Sequence, residues 1–214
     1  MAGLGLGPSD FALFEISDPD ERAERLEATL QPKLLRVGES CRAGLARVAG
    51  EELFAHAGKL PRRRGTAPRE ILVAFGESRA GYRGLPFLAL VTTRAHLHAR
   101  VGVRGESPRR AAMQEALARE APNLARKGKP FRKLRPFQGW NHEDLPEHAP
   151  AHTPAFWLEL ADALGPGGEG LDVGVAFTCE EARSLAVGDL LGVFRDLAPL
   201  YKVLAGAREA VPAR

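Results

Sequence analysis

Leu97, Ala99, Val101 and Val103 alternate with His96, His98, Arg100 and Arg104, and this is the clearest periodicity in the chain. A period of two belongs to a strand that sets one face on a core, so a strand is predicted over 96–104 whose second face is polar and basic. The apolar run Phe87 to Thr92 predicts its hairpin partner, with Thr93, Arg94 and Ala95 as the turn. Ile71 to Phe75 is a short β-branched and aromatic run that leads into the turn-rich stretch 78–86. After the break GPGGEG, Leu171, Val173, Val175 and Phe177 alternate with Asp172, Gly174 and Ala176 and predict a further strand.

Elsewhere the period is helical. Ser9 can cap a short segment holding Phe11, Leu13 and Phe14, and Asp18 with Pro19 supplies an N-cap and first-turn pair ahead of Ala23, Leu26 and Leu30. Pro32 opens another helical stretch through Leu34, Leu35, Val37, Leu45 and Val48, closing near Gly50. Ser107 and Pro108 start a helix through Met113 and Leu117 that should end by Ala121, because Pro122 follows. Thr153 and Pro154 begin one more, and Leu190 to Leu204 mark an amphipathic terminal helix. Strands among unevenly placed helices indicate an α+β fold rather than βαβ alternation. The expectation is a single domain over 1–214, an antiparallel sheet covered by helices in two layers, with mobile tails at 1–8 and 206–214.

With 214 residues, 44% of them apolar, the chain can bury a substantial core, and it has no apolar run long enough to span a membrane. The start MAGLGLGPSD lacks a basic region and an apolar stretch, so no export signal is expected and a cytoplasmic location follows. Cys41 and Cys179 lie far apart with no metal-type spacing and read as reduced thiols.

Charge changes the picture. Residues 56–135 carry 19 Lys and Arg against 5 Asp and Glu, and the rest of the chain carries 11 against 22, a segregation hidden in the net +3. A middle third so basic either folds against the acidic ends or meets an anionic partner.

The order of QPKL (31–34), GEELFAHAGKLPRRR (50–64), ILVAF (71–75) and SRAGYRGLPF (78–87) resembles the YktB-like family of uncharacterised bacterial proteins, and the likeness continues weakly to APLYKVL (198–204). It is most specific between 50 and 87. Family members carry a Trp where Leu72 stands and a Pro-His pair where this chain has Pro86 and Phe87, so no role for that indole or imidazole carries over. The resemblance implies a compact cytoplasmic α+β domain with a helix-covered antiparallel sheet, and it implies no activity.

Three pieces compose the candidate anion site. His56, Lys59, Arg62, Arg63 and Arg64 precede the first predicted strand, Arg79, Tyr82 and Arg83 lie in the loop after it, and His98 and Arg100 lie on the hairpin's polar face. Guanidinium forks match phosphate oxygens, and Tyr82 could stack on a base. A secondary basic stretch, Arg126, Lys127, Lys129, Arg132 and Lys133, is interleaved with Phe131 and followed by Phe137, in the manner of surfaces that bind single-stranded nucleic acid. His142, His148 and His152 fall in a Pro-broken loop near Glu143, Asp144 and Glu147 rather than on one helix face, so no metal is expected. Glu180 and Glu181 beside Cys179 disfavour a thiolate. No Walker, Rossmann, GxSxG or HExxH pattern occurs in context, and no cofactor is expected.

The favoured expectation is a protein that binds nucleic acid or another polyphosphate through the basic sheet face and its loops. The alternatives are an enzyme acting on a phosphorylated or nucleotide-like small molecule, with His98 or His56 moving a proton, and a protein-interaction module. An open groove continuous with Arg126–Arg135 would favour the first, and a closed pocket around Tyr82 and His98 the second. Leu97→Asp or Val101→Asp is expected to destabilise the fold by several kcal/mol through burying an unpaired carboxylate, whereas Arg100→Ala should cost little.

Overall fold

The computed structural model describes residues 3–60, 66–142 and 144–207. Six strands form one antiparallel sheet: β1 (Phe54–Ala57), β2 (Glu70–Gly76), β3 (Phe87–Thr93), β4 (His96–Arg104), β5 (Arg135–Pro136) and β6 (Gly170–Thr178), in the order β1-β2-β3-β4-β6-β5. Seven helices are described: α1 (Pro8–Ala12), α2 (Pro19–Arg25), α3 (Gln31–Ala49), α4 (Arg110–Lys127), α5 (Pro154–Asp162), α6 (Cys179–Ser184) and α7 (Val187–Ala205). The α+β class and the helix-covered antiparallel sheet agree with the sequence reading. No helix among the described residues is long and apolar enough to cross a membrane.

Local chemistry sets most element ends. The Asp18 side chain accepts from the Glu21 amide at 2.7 Å and Pro19 takes the first turn of α2. A π-helical turn, Leu26–Leu30, joins α2 to α3 without a break, just ahead of Pro32, which has no amide to donate. Gly50, at φ 87°, ends α3 in the left-handed region and donates to Ala46. Thr178 and Glu181 close a reciprocal capping box on α6.

The sheet's two faces are built differently. Ile71, Val73, Phe75, Leu88, Leu90, Leu97, Ala99 and Val101 face the helices and join the main core with Leu34, Leu45, Phe194 and Leu197. Leu72, Ala74, Phe87, Ala89 and Val91 share the other face with His98 and Arg100, and Tyr82 packs there from its loop.

Several expectations are corrected. The second face of β4 is not open to solvent, for His98 is fully buried and Arg100 is 2% exposed. Two loops roof it, the segment holding Tyr82 and the segment from Phe137 to His142. The second is pinned by a hydrogen bond from the Phe137 amide to the Asp172 carbonyl at 2.8 Å and another from the Gln138 amide side chain to the Gly170 carbonyl. α4 runs through Pro122 to Lys127, because Ala121, Leu124 and Ala125 continue its buried stripe while Pro122 sits on the exposed side. Residues 3–8 are not a tail: Leu4 and Leu6 are buried, and the Leu4 amide donates to Leu185. Ala207 is buried as well, with its carbonyl held by Arg109, and 208–214 lie outside the described residues.

Candidate functional site

Above the loop-covered face two cavities adjoin, of about 370 Å³ and about 210 Å³, and they share Glu70, Arg104, His142 and Glu169 as common wall. Lys59, Arg69, Tyr82 and Arg83 complete the larger; Arg100, Phe137, Trp140 and Asp172 complete the smaller.

Between them runs a chain of alternating charge. Arg100 Nη1 donates to Asp172 Oδ2 at 2.8 Å and to Glu70 Oε2 at 3.3 Å, and the same Glu70 oxygen lies 3.3 Å from His142 Nε2. Register explains how Arg100 reaches Asp172. Gly174 lies opposite Arg100 on β6, and a Cβ there would meet Arg100 Cα at 2.8 Å and Cγ at 2.9 Å. Only a glycine leaves room for the arginine stem to cross the strand. The guanidinium lies 4.2 Å beneath the Phe137 ring, and its Nε and Nη2 are buried with no hydrogen-bond partner. Burial raises the Glu70 carboxyl, but the hydrogen bond with His142 and the charge of Arg100 outweigh it and hold the group below the usual range. Asp172 goes the other way: burial raises its carboxyl more than Arg100 lowers it.

Arg104, four residues along the same strand face, differs from Arg100. It makes no hydrogen bond or ion pair among the described residues and its Nε is buried without a partner; the rings of Tyr82 and Phe87 lie 5.9 and 5.4 Å from the guanidinium, whose charge also acts at longer range on Glu70 and Asp172. It stands at the junction of the two cavities. His142 stands on the opposite side of that junction in a left-handed backbone conformation, φ 68°, stacked on Trp140 at 4.6 Å. A non-glycine residue held there is strained, which is frequent where a side chain must be aimed.

The residues expected from sequence are distributed as follows. Lys59, Tyr82, Arg83 and Arg100 line the paired cavities. Tyr82 is 7% exposed and packs edge-on to Phe87 at 4.9 Å, so it is a wall rather than an open stacking platform. Arg83 is paired with Glu106 at 2.9 Å. His56 bonds the Ser78 carbonyl at 2.8 Å and Arg79 lies over the Phe54 ring at 4.8 Å; neither lines a cavity on this face. Arg62, Arg63 and Arg64 lie outside the described residues. His98 is corrected as a proton carrier: it is sealed under Phe137 and Trp140, ring centroids 4.8 and 5.3 Å away, and burial drives its pKa far down. His56, His98 and Arg100 therefore do not form one accessible surface.

The secondary stretch, Arg126, Lys127, Lys129, Arg132 and Lys133, is exposed but lies at the end of α4, toward the β5 edge and away from β1 and β2. Its aromatics are not available for stacking, since Phe131 is 1% exposed and Phe137 roofs the sheet. Among the described residues no group of three or more His, Cys, Asp or Glu is placed to hold a metal ion. Both cysteines are free thiols, and burial raises Cys41 to about 11.

Sequence reasoning missed Arg69, Glu70, Arg104, Trp140, His142 and Asp172 as one cluster. Period two places Arg104 on the same face as Arg100, two positions of that face further on, but gives no reason to add it to the site. Nothing local could bring His142 to Glu70, 72 residues away.

The model of a family described as "Domain of unknown function (DUF1054)" matches residues 7–132. A UPF0637 protein of Bacillus velezensis is 32% identical over 108 residues, 50% of this chain and 51% of that protein. One of Bacillus licheniformis is 28% identical over 124 residues, 58% and 59% of the two chains, and one of Oceanobacillus iheyensis 33% over 82 residues, 38% and 40%. The chain spans about half the length of the curated relatives it matches. Glu70, Arg83, Arg100 and Arg104 fall inside the matched family segment; His142, Glu169 and Asp172 fall after it.

Proposed function

The chain belongs to the YktB-like family, DUF1054, and from the chemistry of its cleft we propose that it binds a small phosphorylated molecule on the loop-covered face of the sheet. The observation that carries this reading is Arg104: a guanidinium at the meeting point of two cavities, without a hydrogen bond or ion pair among the described residues and with its Nε buried. Leaving that buried donor, Nε–H, unpaired costs about 1–3 kcal/mol, and an oxyanion bonded to it removes that cost with a charge-assisted bond of about twice the ordinary strength. Lys59 lines the larger cavity with Arg104 and adds positive charge for a phosphate, while Arg83 there is already paired with Glu106. Glu70 and Glu169 on the wall common to both cavities, and Asp172 in the smaller one, accept from hydroxyl or amino groups, so the cleft suits a molecule that carries hydrogen-bond donors beside its anionic group.

The roof over β4 favours a small ligand over a polymer on this face, because Phe137 and Trp140 close what would otherwise be an open stripe. The notion of an enzyme draws support from the pair Glu70 and His142, a carboxylate orienting an imidazole at the cavity wall, which is the arrangement a proton-transfer step uses.

Thermal shift and calorimetric titration with inorganic pyrophosphate, AMP, ADP and ribose 5-phosphate test the reading. A ligand at 100 times its Kd adds about 2.7 kcal/mol, a rise of roughly 5–10 °C for a chain of this size. Arg104→Gln should abolish the rise, whereas Arg94→Gln, an exposed residue paired with Glu15, should keep it. If none of the four compounds shifts the parent, or if Arg104→Gln binds as the parent does, the cleft is not a phosphate site.

A further inference from the structure

On the other side of the molecule, between α3, α7 and the end of α4, lies an open trough of about 920 Å³ whose charged lining residues are Arg47, Lys127, Arg195 and Lys202. We propose that this trough is a docking surface for the sugar-phosphate backbone of a nucleic-acid duplex, independent of the cleft.

The trough is built by a close helix crossing. A Cβ at Gly44 would lie 2.5 Å from Leu191 Cδ1, so the glycine lets the Leu191 side chain lie directly against α3 where the two helices cross. Leu191, Arg195, Ala198 and Lys202 recur at the 4-3-4 spacing of one helix stripe, which places Arg195 and Lys202 about 10 Å apart along α7 at 1.5 Å per residue. Arg47 faces them from α3, and Lys127 closes one end.

Charge separates this surface from the sheet face. Over the sheet, Arg83 and Arg100 are neutralised by carboxylates, whereas among the described residues none of the four trough cations forms an ion pair and no carboxylate lines the trough. All four are exposed. Beyond Lys127 the positive surface continues through Lys129, Arg132 and Lys133, also exposed and unpaired, because the turn Lys129–Phe131 packs on α7. The secondary basic stretch thus gains a partner surface that its own sequence does not reveal. Past Lys202 the wall turns acidic at Glu51 and Glu77, which bounds the patch.

The occupant follows from what the trough lacks. Among the described residues no aromatic side chain lines it and Phe131 is buried, so splayed bases have nothing to stack on there and recognition rests on phosphates. That is the chemistry of sequence-independent duplex binding, with a Kd of about 10⁻⁴–10⁻⁶ M at physiological salt.

Fluorescence anisotropy with labelled mixed-sequence DNA and RNA duplexes of about 20 base pairs tests the proposal. With four phosphates neutralised, log K should fall with log salt at a slope near −3.6, a loss of roughly 150-fold between 50 and 200 mM. Arg47→Gln/Lys127→Gln/Arg195→Gln/Lys202→Gln should retain the parent's melting profile, since all four side chains are exposed, and should lose duplex binding at 50 mM salt. Arg104→Gln in the cleft should bind duplex as the parent does. The proposal is overturned if neither duplex binds the parent at 50 mM salt, or if the quadruple variant keeps the parent's slope. It is equally overturned if poly-glutamate binds in preference to duplex, which would mark an acidic-protein surface, or if Arg104→Gln is the variant that loses duplex.

Discussion

Replacing Arg100 by alanine removes a guanidinium that is 3% exposed and bridges two carboxylates, Glu70 at 3.3 Å and Asp172 at 2.8 Å. The two acids stay behind on the same face, under Phe137, with no cation between them. Breaking one partner out of a buried ion pair costs about 3–5 kcal/mol. Glu70 and Asp172 keep 27% and 32% side-chain exposure, so water recovers part of that and the lower end applies, about 3 kcal/mol. For a chain of this length that is a fall in Tm of roughly 6–12 °C. Urea denaturation with an unchanged slope against denaturant, together with a thermal melt, measures it. The triple variant Arg100→Met/Glu70→Gln/Asp172→Asn, which removes the charges together and keeps the volume, should recover most of the loss. An Arg100→Ala protein that melts within about 2 °C of the parent would refute the argument and restore the solvent-exposed arginine that periodicity alone predicts.

Buried, neutral His98 makes stability depend on pH. Its folded-state pKa lies far below the unfolded value of about 6.5, so the unfolded chain binds the extra proton and stability, fully present above about pH 6.5, falls as pH drops below it. At pH 5 the loss from this residue is about 2 kcal/mol, and His98→Gln should flatten that part of a stability-against-pH curve; a curve unchanged by the substitution would contradict it. Gly174→Ala places a methyl 2.8 Å from Arg100 Cα and closer still to the Ala99 carbonyl, backbone atoms that cannot yield, and should cost at least about 2 kcal/mol by urea titration. Gly192→Ala in α7, with nothing within 4 Å of the new methyl, should instead stabilise by about 0.5–1 kcal/mol. Equal midpoints for the two glycine variants would show that the space around Gly174 has been misjudged.

What the sequence determined by itself is local. Alternation in 96–104 and 171–177 set two neighbouring strands, Asp18-Pro19 and Gly50 set helix ends, and the apolar stripe of 190–204 set α7, because each depends on residues within a turn or two of one another. The same locality misled at Pro122, where a buried stripe on the partner side outweighed one missing amide. It misled again at His98 and Arg100: alternation tells which residues share a face but not whether that face meets water. Only the tertiary structure decided that. The roof comes from Phe137 and Trp140, the counter-charges of Arg100 from Glu70 and Asp172, and the cation at the cavity junction, without an ion pair among the described residues, is Arg104. Likewise Lys127 joined Arg47, Arg195 and Lys202 only when α3, α4 and α7 packed. Burial and charge pairing are properties of residues brought together across 30 to 150 positions, and no window along the chain contains both partners.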